Sequence, residues 1–380
     1  MPKNIFSRTS RERHIFRNEQ YLAPEFLPEK LPHRDSEIDT MVYAFNPVLR
    51  GSKPQNLFVF GPPGTGKTAS VKFVLAQLEE HSDRAKMLYI NCFQHESRHS
   101  VLAKLTNFLG MPVPRRGLAT DETYSKMVEA MRKASFAPII ILDEVDNIAG
   151  AEEQSRLLYD LLRVAEQEKK QLGLVLVSND AAFTARLDAR VKSSLAAENL
   201  AFEPYSPQQL KDILRERAGY AFEQRVLEDD VINVAAAHAA KLGGDARIAI
   251  ECLLKAGRNA ERDNAASVTI AHLKRAFESI DSLPTLKKIR GLNENEKNLL
   301  RVIVQAQEES ILSGDLYKKY NSSVPKGSKA LTERRVRDFL NNLEKQGLVE
   351  ISAVDLGNKG KTRSIRLRVA KQLALRELGN

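Results

Sequence analysis

Tryptophan is absent from the 380 residues, aromatic side chains make up only 6% of them, and there are just two cysteines. Two thiols, Cys92 and Cys252, are too few for a disulfide framework or a four-thiolate zinc site. Each stands in an apolar pattern and reads as a small buried hydrophobe. The seven histidines are scattered without ligand spacing, so no structural zinc is expected. No apolar run approaches the length of a membrane-spanning helix, about 18 residues or more. Internal repeats and low-complexity tracts are missing as well. The first 20 residues are polar and basic, so a secretory leader is not expected, and the expected setting is a reducing cytoplasm without membrane contact.

Over most of the chain net charge is lacking too. The first 286 residues hold 38 Lys or Arg and 38 Asp or Glu, whereas the segment from Lys287 onward holds 20 and 11. The whole formal charge of +9 therefore sits in the last quarter. A neutral body with a basic appendage implies an anionic polymer as the partner of that appendage.

What is present starts with Gly61-Pro62-Pro63-Gly64-Thr65-Gly66-Lys67-Thr68, directly after the apolar run Leu57–Phe60. This is a phosphate loop in the setting its chemistry needs, a buried strand before it and a helical pattern after it. The glycines let backbone N–H groups close around phosphates, where a Cβ would obstruct the turn. Lys67 is placed to reach the β- and γ-phosphates, and the Thr68 hydroxyl to complete a Mg²⁺ shell. A second run, Pro138–Leu142, is too short for a helix and ends in Asp143-Glu144. A buried strand delivering two acids at its carboxyl end suits the edge where open α/β sheets bind ligands. Asp143 is expected to hold Mg²⁺ and Glu144 to orient and deprotonate an attacking water. These signals point to a nucleoside triphosphate.

Residues 54–204 alternate strand-like runs (57–60, 87–91, 138–143, 172–178 and 199–203) with amphipathic stretches, the pattern of a parallel α/β sheet. From Ser206 to Asp281 only helical periods remain. Ser206-Pro207 reads as an N-cap with proline at the first helical position, and Asp229, Asp245 and Thr269 open further helices. Asn179, ending the run after Leu172, is expected beside Glu144 as an orienter of water or a sensor of the γ-phosphate. Arg247, at the start of a helix after Gly243-Gly244-Asp245, is placed to report closure on bound phosphates. Arg190 is a candidate arginine finger acting on a neighbouring subunit.

The last block reads as three helices and two strands, Leu348–Ile351 and Ser364–Val369, joined by a loop with Gly357, Lys359 and Lys361. In the third helix Val336, Phe339, Leu340 and Leu343 recur at core spacing, and Arg334, Asp338, Asn341 and Lys345 take the opposite face beside Arg335 and Asn342. That is a winged helix. Its third helix fits a major groove, with Arg334, Arg335 and Asn341 able to read base edges, and Lys359, Lys361 and Arg363 suit phosphates. The fold class is accordingly α/β. The expected plan is a basic extension over 1–20, a nucleotide-binding sheet domain over 21–204, an all-helical lid over 205–282, a linker over 283–292 containing Pro284 and Gly291, and a winged-helix domain over 293–380.

The phosphate loop, Asp143-Glu144-Val145-Asp146, Ser178-Asn179-Asp180 and Gly244-Asp245-Ala246-Arg247 resemble AAA+ ATPases. Leu31-Pro32-His33-Arg34 and Pro112–Leu118 narrow the resemblance to archaeal replication initiators of the origin recognition complex and cell-division-control helicase-loader family, over roughly residues 20–370. The resemblance implies tight binding of ATP or ADP with slow hydrolysis, and binding of double-stranded origin DNA in the nucleoid. It also implies recruitment of the replicative helicase and cooperation with a paralogous initiator subunit. It further implies a DNA-contacting insertion near 95–125 with Arg115, Arg116 and Gly117, and packing of Tyr21 to Arg34 near the adenine, chiefly Leu31, Pro32, His33 and Arg34. Ser194 departs from some eukaryotic relatives, which carry a second arginine there. A branch-migration motor and a nucleotide-switched transcription regulator are the alternative readings, and a clamp-loader-type assembler fits the ATPase without the basic C-terminal charge.

Overall fold

The structure, a computed structural model, describes residues 14–114, 117–306, 310–323, 332–355, 361–369 and 371–378. They fall into two units, one ending at Leu273 and the other beginning at Lys274.

In the first unit the elements run α1 (Asp35–Phe45), β1 (Leu57–Phe60), α2 (Lys67–His81), β2 (Ala85–Asn91), α3 (Arg98–Phe108), α4 (Thr120–Lys133) and β3 (Ala137–Asp143). They continue with α5 (Ala151–Gln167), β4 (Gly173–Ser178), α6 (Ala189–Leu195) and β5 (Glu198–Ala201). The five strands make one parallel sheet in the order β2-β3-β4-β1-β5. Central strands β3 and β4 are buried along their whole length, whereas β2 and β5, at the edges, alternate. Helices on both faces require this, because a strand covered twice has no solvent side. Period-two alternation then sorts the residues into two cores. Phe58, Ile140, Leu142, Leu174 and Leu176 pack toward α3, α4 and α5, and Leu57, Val59, Ile139, Ile141 and Val175 pack toward α1 and α2.

Register decides where the chemistry collects. Phe60 pairs with Ser178 and Asp143 with Val177, so the phosphate loop, the acid pair and Asn179 leave the sheet along one edge. Beyond the sheet stand α7 (Pro207–Ala221), α8 (Asp229–Lys241), α9 (Ala246–Arg262) and the start of α10 (Ile270–Arg290). Ser206 and Gln209 form a reciprocal capping box with Pro207 at the first turn, and Asp245 caps α9 through the Arg247 N–H.

Residues 14–26 depart from the expected split into a basic extension over 1–20 and a sheet domain from 21. They run along the lid as one segment: Glu223 N–H donates to the Ile15 carbonyl, Arg17 N–H to Ala221, Phe16 packs on Phe222 at 4.8 Å, and Arg217 donates to the Tyr21 and Phe26 carbonyls. The expected linker differs as well. The backbone stays helical through Pro284 to Arg290, and the boundary between the units falls inside α10.

The second unit adds α11 (Glu294–Gln305), β6 (Ser310–Leu312), α12 (Ser313–Ser323), α13 (Glu333–Lys345), β7 (Val349–Asp355), β8 (Lys361–Leu367) and α14 (Lys371–Leu378). Its antiparallel sheet has the order β6-β8-β7. Leu299, Leu316, Leu340, Leu343, Ile365 and Ala374 form its core. Strand β6 and helix α14 were not expected. Among the described residues no helix is long and apolar enough to cross a membrane.

Candidate nucleotide site and nucleic-acid surface

A cavity of about 670 Å³ opens between the carboxyl edge of the sheet and the helical lid. Its polar end is built on the phosphate loop. At Gly61 (φ 146°) a Cβ would overlap the Phe202 carbonyl, and at Gly64 (φ 74°) it would overlap the Asp245 carboxylate, so both positions need glycine. The Lys67 ammonium donates to the Gly61 and Pro62 carbonyls at 2.7 and 2.8 Å and to Asn179 Oδ1 at 3.0 Å. Burial holds its pKa below the ordinary lysine value, partly offset by Asp143.

Thr68 Oγ1 donates to Asp143 Oδ2 at 2.9 Å, the Tyr89 hydroxyl donates to the same oxygen at 2.7 Å, and the Glu144 N–H donates to Oδ1 at 3.0 Å. Asp143 is thus oriented on both oxygens while it stays buried. Burial, with Asp143 alongside, raises the Tyr89 pKa and keeps its proton in place. Glu144 adopts a left-handed backbone (φ 53°, ψ 45°), a strained choice for a residue with a Cβ. A hydroxyl and a carboxylate meeting at the phosphate loop are hard oxygen donors of the kind that suit Mg²⁺.

The lid closes over this end through a backbone bond from Ala246 N–H to Gly64 O at 3.1 Å, and within the lid Tyr205 N–H donates to Gly244 O at 3.3 Å. Arg247 lines the cavity with its guanidinium on Asp245, at 3.2 Å to Oδ1 and 2.8 Å to Oδ2. Those hydrogen bonds raise its pKa, so it stays cationic.

Leu31 and Pro32 line the cavity, whereas His33 and Arg34 do not. His33 Nε2 lies 3.0 Å from Asp212. Arg34 is buried behind the loop, donating to the Thr65 and Glu203 carbonyls at 2.8 Å each, to Tyr205 Oη at 3.1 Å and to Glu37 at 2.6 Å. Its plane lies over the Tyr205 ring at 4.1 Å. It braces the phosphate loop from behind. Arg190 is exposed on α6, paired with its own Asp188, and Asp188 caps that helix. The Cys92 thiol is buried, which pushes its pKa up to about 12 and makes it inert.

In the second unit Arg334 and Arg335 are exposed on the first turn of α13 and Asn341 is half-buried. Asn342 turns inward to Glu296 at 2.6 Å. Arg363 is exposed on β8 opposite Ala353, and Lys361 begins that strand opposite Asp355. Gly117 is left-handed (φ 95°) with open space around it. Arg115, Arg116 and Lys359 lie outside the described residues. Sequence reasoning missed Tyr89 and Arg217, which lines the apolar end of the cavity on α7. Neither carries a local signal, because each depends on which element becomes its neighbour.

Three domain families match in chain order: an AAA domain over residues 50–187, a Cdc6 AAA+ ATPase-type lid domain over 211–278, and a CDC6 C-terminal winged helix domain over 287–377. The chain is 37% identical to ORC1-type DNA replication protein 1 of Archaeoglobus fulgidus, covering 99% of this chain and 93% of that one. It is 38% identical to the ORC1-type DNA replication protein of Thermococcus kodakarensis, covering 96% and 91%. Among solved structures, the Aeropyrum pernix ORC1 protein in complex with DNA superposes with a TM-score of 0.80 at 33% identity, covering 97% of both chains.

Proposed function

The chain belongs to the ORC1-type family of archaeal DNA replication proteins, an AAA+ ATPase joined to a winged helix, and on that premise we propose that it is a nucleotide-switched, origin-binding initiator. The observation that carries this is the convergence of Lys67, Asp143, Asn179 and Arg247, from sheet and lid, on a shared cavity. ATP fits it with the phosphates on the loop. Lys67 would exchange the Gly61 and Pro62 carbonyls for phosphate oxygens, and Arg247 would exchange Asp245 for the γ-phosphate. Thr68 and Asp143 would hold Mg²⁺, whose chemistry there is to neutralise phosphate charge. Glu144 would take a proton from water as its oxygen attacks the γ-phosphorus and the bond to the bridging oxygen breaks, giving ADP and phosphate. Asn179 would orient that water, and Arg190 would serve a neighbouring subunit, a paralogous initiator included.

Hydrolysis is slow on this reading, because the nucleotide acts as a switch held between sheet and lid. The winged helix would read origin duplex through Arg334, Arg335 and Asn341 and hold phosphates with Lys359, Lys361 and Arg363. Arg115, Arg116 and Gly117 would add a second contact. The DNA complex of the Aeropyrum relative supports this side of the proposal, and recruitment of the replicative helicase follows from the family reading. Genome-wide binding of the full-length protein, with footprinting at the strongest site with and without ATP, tests the whole. Enrichment at one or a few intergenic loci where replication begins is expected. Enrichment at scattered promoters alone would move the protein to the transcription regulators.

A further inference from the structure

The end of the cavity away from the phosphate loop is apolar and closed by residues 22–28, with Leu31 and, from the lid, Ile213 and Leu254 beside them. Arg217 lines the cavity beside them, as do Lys30 and Glu216. Arg217 of α7 donates from Nη1 to the Tyr21 carbonyl at 3.0 Å and from Nη2 to the Phe26 carbonyl at 3.4 Å. Its guanidinium also lies over the Phe26 ring at 4.7 Å. None of these hydrogen-bond partners is a carboxylate, and burial lowers its pKa, partly offset by the charge of Glu216. A half-buried guanidinium spent on two backbone carbonyls and a ring is costly to desolvate, so its placement calls for a return elsewhere.

The return lies in what those two carbonyls belong to. Tyr21 and Phe26 bracket the turn that covers the cavity, their rings meet at 4.8 Å, and Tyr21 stacks on Tyr220 of α7 at 5.2 Å. Upstream, the same segment is tied to the lid by Ile15, Phe16 and the Glu19–Arg258 pair. The segment is thereby part of the lid, fastened at one end by α9 and at the other by Arg217.

We infer that Arg217 is a positioning residue for the nucleoside: it clamps residues 21–26 as the roof over the base, so that affinity for the part shared by ATP and ADP depends on it. The inference rests on the nucleotide reading above. It assigns to α7 a task separate from that of Arg247, which faces the phosphate end and would distinguish ATP from ADP.

The test is calorimetric or fluorescence titration of the full chain with ATP, ADP and inorganic tripolyphosphate, for wild type, Arg217→Gln, Arg217→Lys and Phe26→Leu. In Arg217→Gln, loss of two charge-assisted hydrogen bonds is expected to weaken ATP and ADP by the same factor, about tenfold or more. Tripolyphosphate, which has no base, should bind as it does to wild type. Arg217→Lys should recover part of the loss, and Phe26→Leu, which keeps the backbone carbonyl, should show a smaller loss of the same pattern. Unchanged ATP and ADP affinity in Arg217→Gln would overturn the inference. So would a loss confined to ATP, or a parallel loss for tripolyphosphate, which marks general damage. A wild-type chain that bound neither nucleotide would overturn the nucleotide reading itself and the inference with it.

Discussion

Lys67 is an ammonium that the fold has buried against carbonyls, with its pKa held below the ordinary lysine value chiefly by burial. Between that lowered value and the ordinary one, the unfolded chain holds more protons than the folded one. Stability without nucleotide therefore rises as pH climbs through this window, and below it the buried charge costs stability. Phosphate binding has the opposite demand, because it needs the cation. ATP affinity is expected to fall as pH rises, beginning below the range of a solvated lysine. The fall should flatten in Lys67→Arg, whose guanidinium stays charged; dissociation constants measured across alkaline pH check this. Gly64 sets a second constraint on the same loop. A methyl group there meets the capping carboxylate of Asp245 at a left-handed backbone position. Gly64→Ala is expected to cost roughly 1–2 kcal/mol from the backbone alone and to loosen the Ala246–Gly64 bond, which thermal unfolding with and without ADP will read.

Elements were legible where a few consecutive residues carry their own start signal. Ser206-Pro207, Asp229, Asp245 and Thr269 mark helix starts in the sequence, and the helices begin at Pro207, Asp229, Ala246 and Ile270. Because the α7 start rests on a reciprocal box between Ser206 and Gln209, Ser206→Ala is expected to destabilise the first unit by about 1 kcal/mol. That corresponds to a melting temperature lower by roughly 2–4 °C. Two elements had no such signal. Strand β6 is three residues long and exists through pairing with β8, Ile311 opposite Ile365. Helix α14 is short and is anchored by Ala374 and Leu378 in a core assembled from the rest of the unit. Pro284 misled in the other direction, since the helix carries on through it. Proline's missing N–H and ring clash weaken a helix without always ending it.

For the whole molecule, the informative quantity is where charge lies. All of the surplus falls in the segment from Lys287 onward, so duplex binding by the full chain should weaken steeply as salt rises. Arg363→Ala, at a position suited to phosphate, is expected to reduce the slope of log affinity against log salt by about one. It should do so equally for specific and unrelated sequences. Arg334→Ala, at the start of α13, should instead narrow the gap between them. Fluorescence anisotropy at several salt concentrations separates the two outcomes, and equal, sequence-blind losses at both positions would refute the division.

The phosphate loop, the acid-ended strand, the helix caps and the charge asymmetry were all determined by the sequence itself, because each is a property of neighbouring residues or of composition. Glycine torsions, a side chain bonding an N–H three residues on, and a buried run ending in carboxylates need no distant partner to be read. Only the tertiary structure decided that Arg34 supports the loop from behind, that residues 14–26 run along the lid, and that Arg217 bonds the Tyr21 and Phe26 carbonyls beside the cavity. These contacts join positions 171, 246 and 196 residues apart. Their partners are set by strand order, by register and by the docking of the lid on the sheet edge, none of which any one segment encodes.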